Sequence, residues 1–166
     1  MTGGLNTYGY VSGNPVNWFD PFGLKQFPGI TPGGKRITMI NDNPNGVSPN
    51  VDVSDSLVDM IVDVLDSSSL SSININSTTG GKHSKDSRHY TRQACDINQI
   101  NGSPVNENNP AVTEFQNWLE VQKNIRENYG PSFNNKTLGN GFVKDQSSVR
   151  KIVNGHKNHI HASGQR

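Results

Sequence analysis

Two residue types, histidine and aspartate, at two places in the chain could do metal chemistry. His89 and Asp96 lie seven residues apart in Ser87-Arg88-His89-Tyr90-Thr91-Arg92-Gln93-Ala94-Cys95-Asp96, and His159-Ile160-His161 follows about sixty residues later. An imidazole, a carboxylate and a second imidazole make up the three protein ligands of an open catalytic zinc site, whose fourth position is left for water. The expectation is a metallohydrolase.

Such a site needs elements to position it. Gly80 to Arg88 reads as polar loop and Ala94 to Ile100 as a core strand, so His89 should fold back from a loop beside Asp96 on the strand. On that strand Cys95 alternates out of phase with Asp96 and should face the core. His159 and His161 are two apart, so on a closing strand over 158–163 both point to one face. One can bind zinc while the other contacts bound water or substrate. His83, in Gly-Lys-His-Ser, has no spacing partner and reads as an ordinary loop histidine.

The scaffold around them is α+β: a small antiparallel sheet with two main helices. Leu57, Val58, Ile61, Val62 and Leu65 recur with helical spacing over 54–66, with Ser54 as N-cap and Asp55 in the first turn. The second helix is expected over 110–127. Pro110 suits its first turn, and Val112, Phe115, Trp118, Leu119 and Ile125 form its apolar face. Short strands are expected at 37–40 and 72–76, and 131–155 reads mostly as loop.

Composition narrows the function classes. The 166 residues carry a formal net charge of +1, and 31% are hydrophobic. Near-neutral charge argues against a dedicated nucleic-acid binder, which shows a basic stripe. One cysteine excludes an intramolecular disulfide framework and a Cys-rich structural zinc site. No apolar run has the length of a membrane span, and the start has no secretory signal pattern.

The first 24 residues differ from the rest. They are dense in turn residues and aromatics, and Pro15 to Leu24 reads P-x-x-x-x-D-P-x-G-L. This segment resembles the end of the core of Rhs/YD-repeat proteins, bacterial shells that enclose a C-terminal toxin. The resemblance implies cleavage after Leu24, with Asp20 as one of two aspartates in an aspartyl-protease-like self-cleavage. It divides the chain into a core remnant (1–24), a linker or N-terminal part of the toxin (25–50) and a toxin domain (51–166). It further implies type VI or related secretion without a signal peptide, action in the periplasm or cell wall of a target bacterium, and a cognate immunity protein.

The second half resembles the LAS metallopeptidases, which include D-alanyl-D-alanine carboxypeptidases, phage endolysin peptidases and the zinc-bearing hedgehog domain. Their pattern is H-x6-D followed by H-x-H, and the carboxypeptidase-like branch writes S-x-H-x-x-G-x-A-x-D. Ser87, His89, Ala94, Asp96, His159 and His161 match it. The resemblance implies a LAS/hedgehog-like fold with Zn2+ held by His89, Asp96 and His161, and His159 beside the metal. Peptidoglycan stem peptides would be the substrate, with Arg88 or Arg92 clamping a carboxylate, Tyr90 lining the cleft and Ser87 anchoring the loop. Two positions depart from the pattern. Arg92 occupies the glycine position, which predicts a different bend of the loop. No carboxylate precedes the last histidines as general base, which leaves His156 or His159 for that role. A nuclease toxin and a non-catalytic zinc-bearing module are the alternatives.

Overall fold

The computed structural model describes residues 23–165. Asp20 and most of the 1–24 segment lie outside the described residues. Leu24 lies within them, in β1 (Leu24–Lys25), which pairs antiparallel with β3 (Val53–Ser54).

The main sheet has eight strands. Along its path run β2 (Arg36–Met39), β4 (Ser72–Ser77), β5 (Ala94–Ile100), β10 (Ile160–Gly164), β7 (Ile125–Tyr129), β8 (Asn134–Thr137) and β9 (Val143–Asp145), and β6 (Ser103–Pro104) pairs with β5 off that path. The architecture is α+β, as expected. The sheet is larger than expected and mixed, because β2 runs parallel to β4 while the other pairs are antiparallel. The described residues form three helices, α1 (Asp55–Ser67), α2 (Pro110–Glu120) and α3 (Arg150–Gly155).

Helix α1 buries Leu57, Val58, Met60, Ile61, Val64 and Leu65 along one stripe. Ser54 is its N-cap, although its side chain makes no capping bond. At the other end Ser68 takes an extended conformation, and its hydroxyl and the Lys35 ammonium both donate to the Leu65 carbonyl at 2.7 Å, one of the carbonyls without a regular helical partner. In α2 the Asn109 side chain accepts from the Ala111 N–H, and Pro110 occupies the first turn.

Helix α2 stops at Glu120, short of the expected 127. Residues Ile125–Tyr129 form β7 instead, paired on both edges with β10 and β8. Ladder hydrogen bonds on two sides outweigh the helical periodicity that Ile125 completes. Asn128 fixes the arrangement by donating to the Gln116 carbonyl, and Gln116 returns a bond to the Asn128 side chain. Trp118, assigned to the apolar face, is 37% exposed; Val112, Phe115, Gln116 and Leu119 are the buried residues. The stretch 131–155 also departs from the loop reading, since it carries β8, β9 and α3. Residues 25–50 contribute β2 and bury Phe27 and Ile37 in the common core, so they pack as part of the same unit.

Strand alternation then separates two faces. Cys95 and Ile97 of β5 and Ile160 and Ala162 of β10 join α1 and α2 in one hydrophobic cluster. Asp96 and His161, between them in sequence, project from the other face. The register sets His161 opposite Asp96 and Ala162 opposite Cys95.

Candidate metal centre and its cleft

His89 sits in the turn leading to β5, and its ring is fixed from behind. Its Nδ1 donates to the Thr78 carbonyl, which leaves Nε2 as the lone-pair face. That Nε2 is 3.2 Å from Asp96 Oδ1 and 3.1 Å from His161 Nδ1, and Asp96 Oδ1 is 2.9 Å from His161 Nδ1. Tetrahedral coordination with N and O ligands at about 2.0–2.1 Å places ligand atoms about 3.3 Å apart. The three edges of this triangle are close to that value. The donor set also suits zinc chemically: two imidazoles and a carboxylate, all buried, beside an open cleft. The described residues therefore fit a metal ion, with His89, Asp96 and His161 as its holders.

Without metal the same atoms share protons. Burial works against the charge of Asp96, but hydrogen bonds from His161 and His89 outweigh it and hold the carboxyl well below its ordinary range. Burial also disfavours a charged His161. Hydrogen bonds to Asp96 and Glu127 override this and raise it to about 9. An ion binding here must displace that proton.

The cluster opens into a cleft of about 860 Å3, and all five histidines of the chain line it. His159 lies just before β10, with Nε2 4.0 Å from Asp96 Oδ1. Its Nδ1 donates to the Asn158 side-chain oxygen at 3.0 Å, so Nε2 carries the lone pair toward the site. His156, at the end of α3, donates through Nδ1 to the Ile152 carbonyl at 2.7 Å, and its ring centre is 5.0 Å from that of His159. Burial lowers both histidines, His156 to about 4, so both are neutral bases at pH 7.

His83, read as an ordinary loop histidine, stacks on His89 with ring centres 3.9 Å apart and planes 10° from parallel. Its Nε2 donates to the Gly80 carbonyl at 2.7 Å. Gly81 turns the chain there at φ +94°, and a Cβ on it would meet His83 Nε2 at 3.2 Å. The Gly80-Gly81 pair was the available signal that the backbone doubles back at this point. Tyr90 is half exposed and acts on His83: its hydroxyl accepts the His83 N–H at 3.0 Å, and its ring meets His83 edge-on.

Ser87 lines the cleft and its hydroxyl accepts the His89 N–H at 3.4 Å. Arg88 also lines the cleft, and its guanidinium donates to Gln93 and to the Gly164 carbonyl, both at 2.9 Å, tying the His89 loop to β10. Arg92 is not among the cleft residues and donates to the Asp52 carbonyl at 2.8 Å. Its φ is +61°, the left-handed conformation that glycine adopts freely. Lys82, Lys136 and Lys151 are the lysines along the walls.

Glu127 was missed because its segment reads as helix. From β7 it reaches the cleft with Oε2 3.5 Å from His161 Nε2, while Lys136 holds Oε1 at 2.9 Å. Burial would raise its pKa; the bonds from His161 and Lys136 outweigh that and keep it ionised. It does not restore the missing general base, because the His161 ring stands between it and the metal-facing Nδ1.

Searches against known protein families, curated proteins and solved structures return no significant match for the chain.

Proposed function

We propose that this chain is the toxin part of an Rhs-type protein, a zinc peptidase that hydrolyses amide bonds in peptidoglycan stem peptides or cross-links. The reading extends to a LAS/hedgehog-like fold, delivery without a signal peptide to the periplasm or wall of a target bacterium, and a cognate immunity protein. The observation that carries it is the buried triangle of His89 Nε2, Asp96 Oδ1 and His161 Nδ1, with edges of 2.9–3.2 Å, opening into a histidine-lined cleft. The motif order H-x6-D then H-x-H, with Asp96 and His161 paired across adjacent antiparallel strands, supports that reading. The P-x-x-x-x-D-P-x-G-L leader supplies the export route.

Zinc, when bound, supplies a Lewis acid and brings the pKa of water down toward 7. The protein's own groups do the rest. His159, neutral and with Nε2 turned to the site, takes the proton from the attacking water and passes it to the leaving amine. His156, also neutral, packs beside the His159 ring and keeps it in place. Lys82 and Lys151 offer cations at the cleft wall for a substrate carboxylate, while Arg88 and Arg92 hold the loop in shape.

Incubating the protein with purified sacculi and with plasmid DNA, with and without chelator, tests the reading. Chelator-sensitive release of muropeptide fragments is expected. Degradation of the plasmid with intact sacculi would replace it by a nuclease, and bound zinc with neither activity by a binding module.

A further inference from the structure

The sequence pattern has no place for Glu127, yet the fold directs it at a ligand. We propose that Glu127 is a positioning residue: it faces the back of His161 and commits that ring to binding the metal through Nδ1. This rests on the metal-site reading above but not on the identity of the substrate.

The argument begins with the sheet. In the register, Ser163 of β10 lies opposite Glu127 and His161 lies opposite Tyr129, so Glu127, Tyr129, His161 and Ser163 share the cleft face. Both carboxylate oxygens are then engaged. Oε1 takes the Lys136 ammonium from β8 at 2.9 Å, and Oε2 accepts the Ser163 hydroxyl at 2.8 Å. Held from both neighbouring strands, Oε2 stands 3.5 Å from His161 Nε2, at the outer edge of hydrogen-bond reach. Tyr129 stacks against the same ring, with ring centres 5.9 Å apart and planes 19° from parallel. A proton on Nε2 is therefore favoured and the lone pair falls on Nδ1, the atom that faces His89 and Asp96.

His89 solves the same problem with a backbone acceptor, the Thr78 carbonyl behind Nδ1. The two histidines are thus aimed through opposite ring nitrogens, one by a carbonyl and one by a carboxylate. Acceptors behind a ligand imidazole fix its tautomer and raise its basicity, and losing one costs about 10–100-fold in metal affinity.

The test is Co2+ binding by the full chain, followed by visible absorption and by competition with a chromogenic chelator. Glu127→Leu should weaken binding about 10–100-fold. Glu127→Gln keeps an acceptor oxygen and should recover most of that loss while leaving the wild-type absorption bands in place. A merely structural role predicts that both variants change thermal stability and leave the affinity and bands unchanged, and that result overturns the proposal. Equal loss in Gln and Leu overturns it as well. Should Glu127→Leu fail to fold, Ser163→Ala replaces it: removing the hydroxyl that aims Oε2 should weaken Co2+ binding, and unchanged affinity overturns the proposal. Wild-type protein that binds no Co2+ overturns this inference and the metal site together. Wild-type protein that binds Co2+ but leaves sacculi intact removes the peptidase reading alone.

Discussion

Asp96 Oδ1 and His161 Nδ1 meet at 2.9 Å although 65 residues separate them, because their strands pair in exact register. Two of the three residues of the candidate metal site are therefore set by the sheet itself. A one-residue slip of β10 would send His161 into the helix-packed core and bring Ile160 or Ala162 to the cleft.

The ligand set makes a simple stoichiometric prediction. Wild-type protein should bind one zinc per chain by elemental analysis. His89→Ala, Asp96→Ala and His161→Ala should each bind none at micromolar metal. Saturating zinc at about 100 times its dissociation constant should stabilise the wild type by about 2.7 kcal/mol and raise its Tm, and should leave the three variants unmoved.

His159 separates binding from turnover. His159→Ala should keep the metal and lose about 10²–10⁴-fold in kcat, the usual contribution of a positioned general base. His156→Ala should lose less, since its Nδ1 is spent on the Ile152 carbonyl and its ring packs beside His159 and His161 without bonding to the three clustered ligand atoms. Equal metal content with unchanged kcat in His159→Ala would remove it from the mechanism.

The metal-free protein should be most stable near pH 6.5. His161 is raised from 6.5 to about 9 in the fold, so its stabilising charge is fully present below pH 6.5 and is lost as pH rises through about 9. His156 is lowered from 6.5 to about 4, so the unfolded chain binds the extra proton in that window and stability falls as pH drops from 6.5 toward 4. Chemical denaturation across pH 4–9 should trace this maximum. His161→Gln should flatten the alkaline limb, and zinc, by displacing the His161 proton, should do the same.

Arg92 tests the turn beneath the first ligand. Its left-handed φ of +61° costs an ordinary residue about 1 kcal/mol or more. Arg92→Gly should therefore hold or raise the Tm despite the lost bond to Asp52, whereas Arg92→Val, β-branched at the same angle, should lower it and weaken zinc binding by disturbing His89. Equal Tm values for the two variants would show that the backbone angle there is not restrictive.

Local signals in the sequence account for much of this structure. Helix α1, strands β4, β5 and β10 and the start of α2 each carry their own periodicity or caps, and the alternation of Cys95 with Asp96 already separates core from cleft. The clustering of His89, Asp96 and His161 was legible because two short motifs carry them. Glu127 was not legible. Ile125 continues the apolar rhythm of α2, and only pairing with β8 and β10, a long-range effect, turns that stretch into a strand. His83 escaped for a similar reason, since its partner is the face of the His89 ring and no spacing rule encodes a stack. Arg92 departs from the motif in residue type, and its left-handed backbone is not encoded by its side chain.

Strand β10 follows every other described element in the chain yet lies between β5 and β7. The inner edges of β5 and β7 are therefore joined only when Ile160–Gly164 is in place. Assembly of the triangle and closure of the sheet are one event, because His89 and Asp96 precede the last strand and only its insertion brings His161 to them. A chain whose final strand is kept from inserting would carry the three residues without the geometry that could hold a metal.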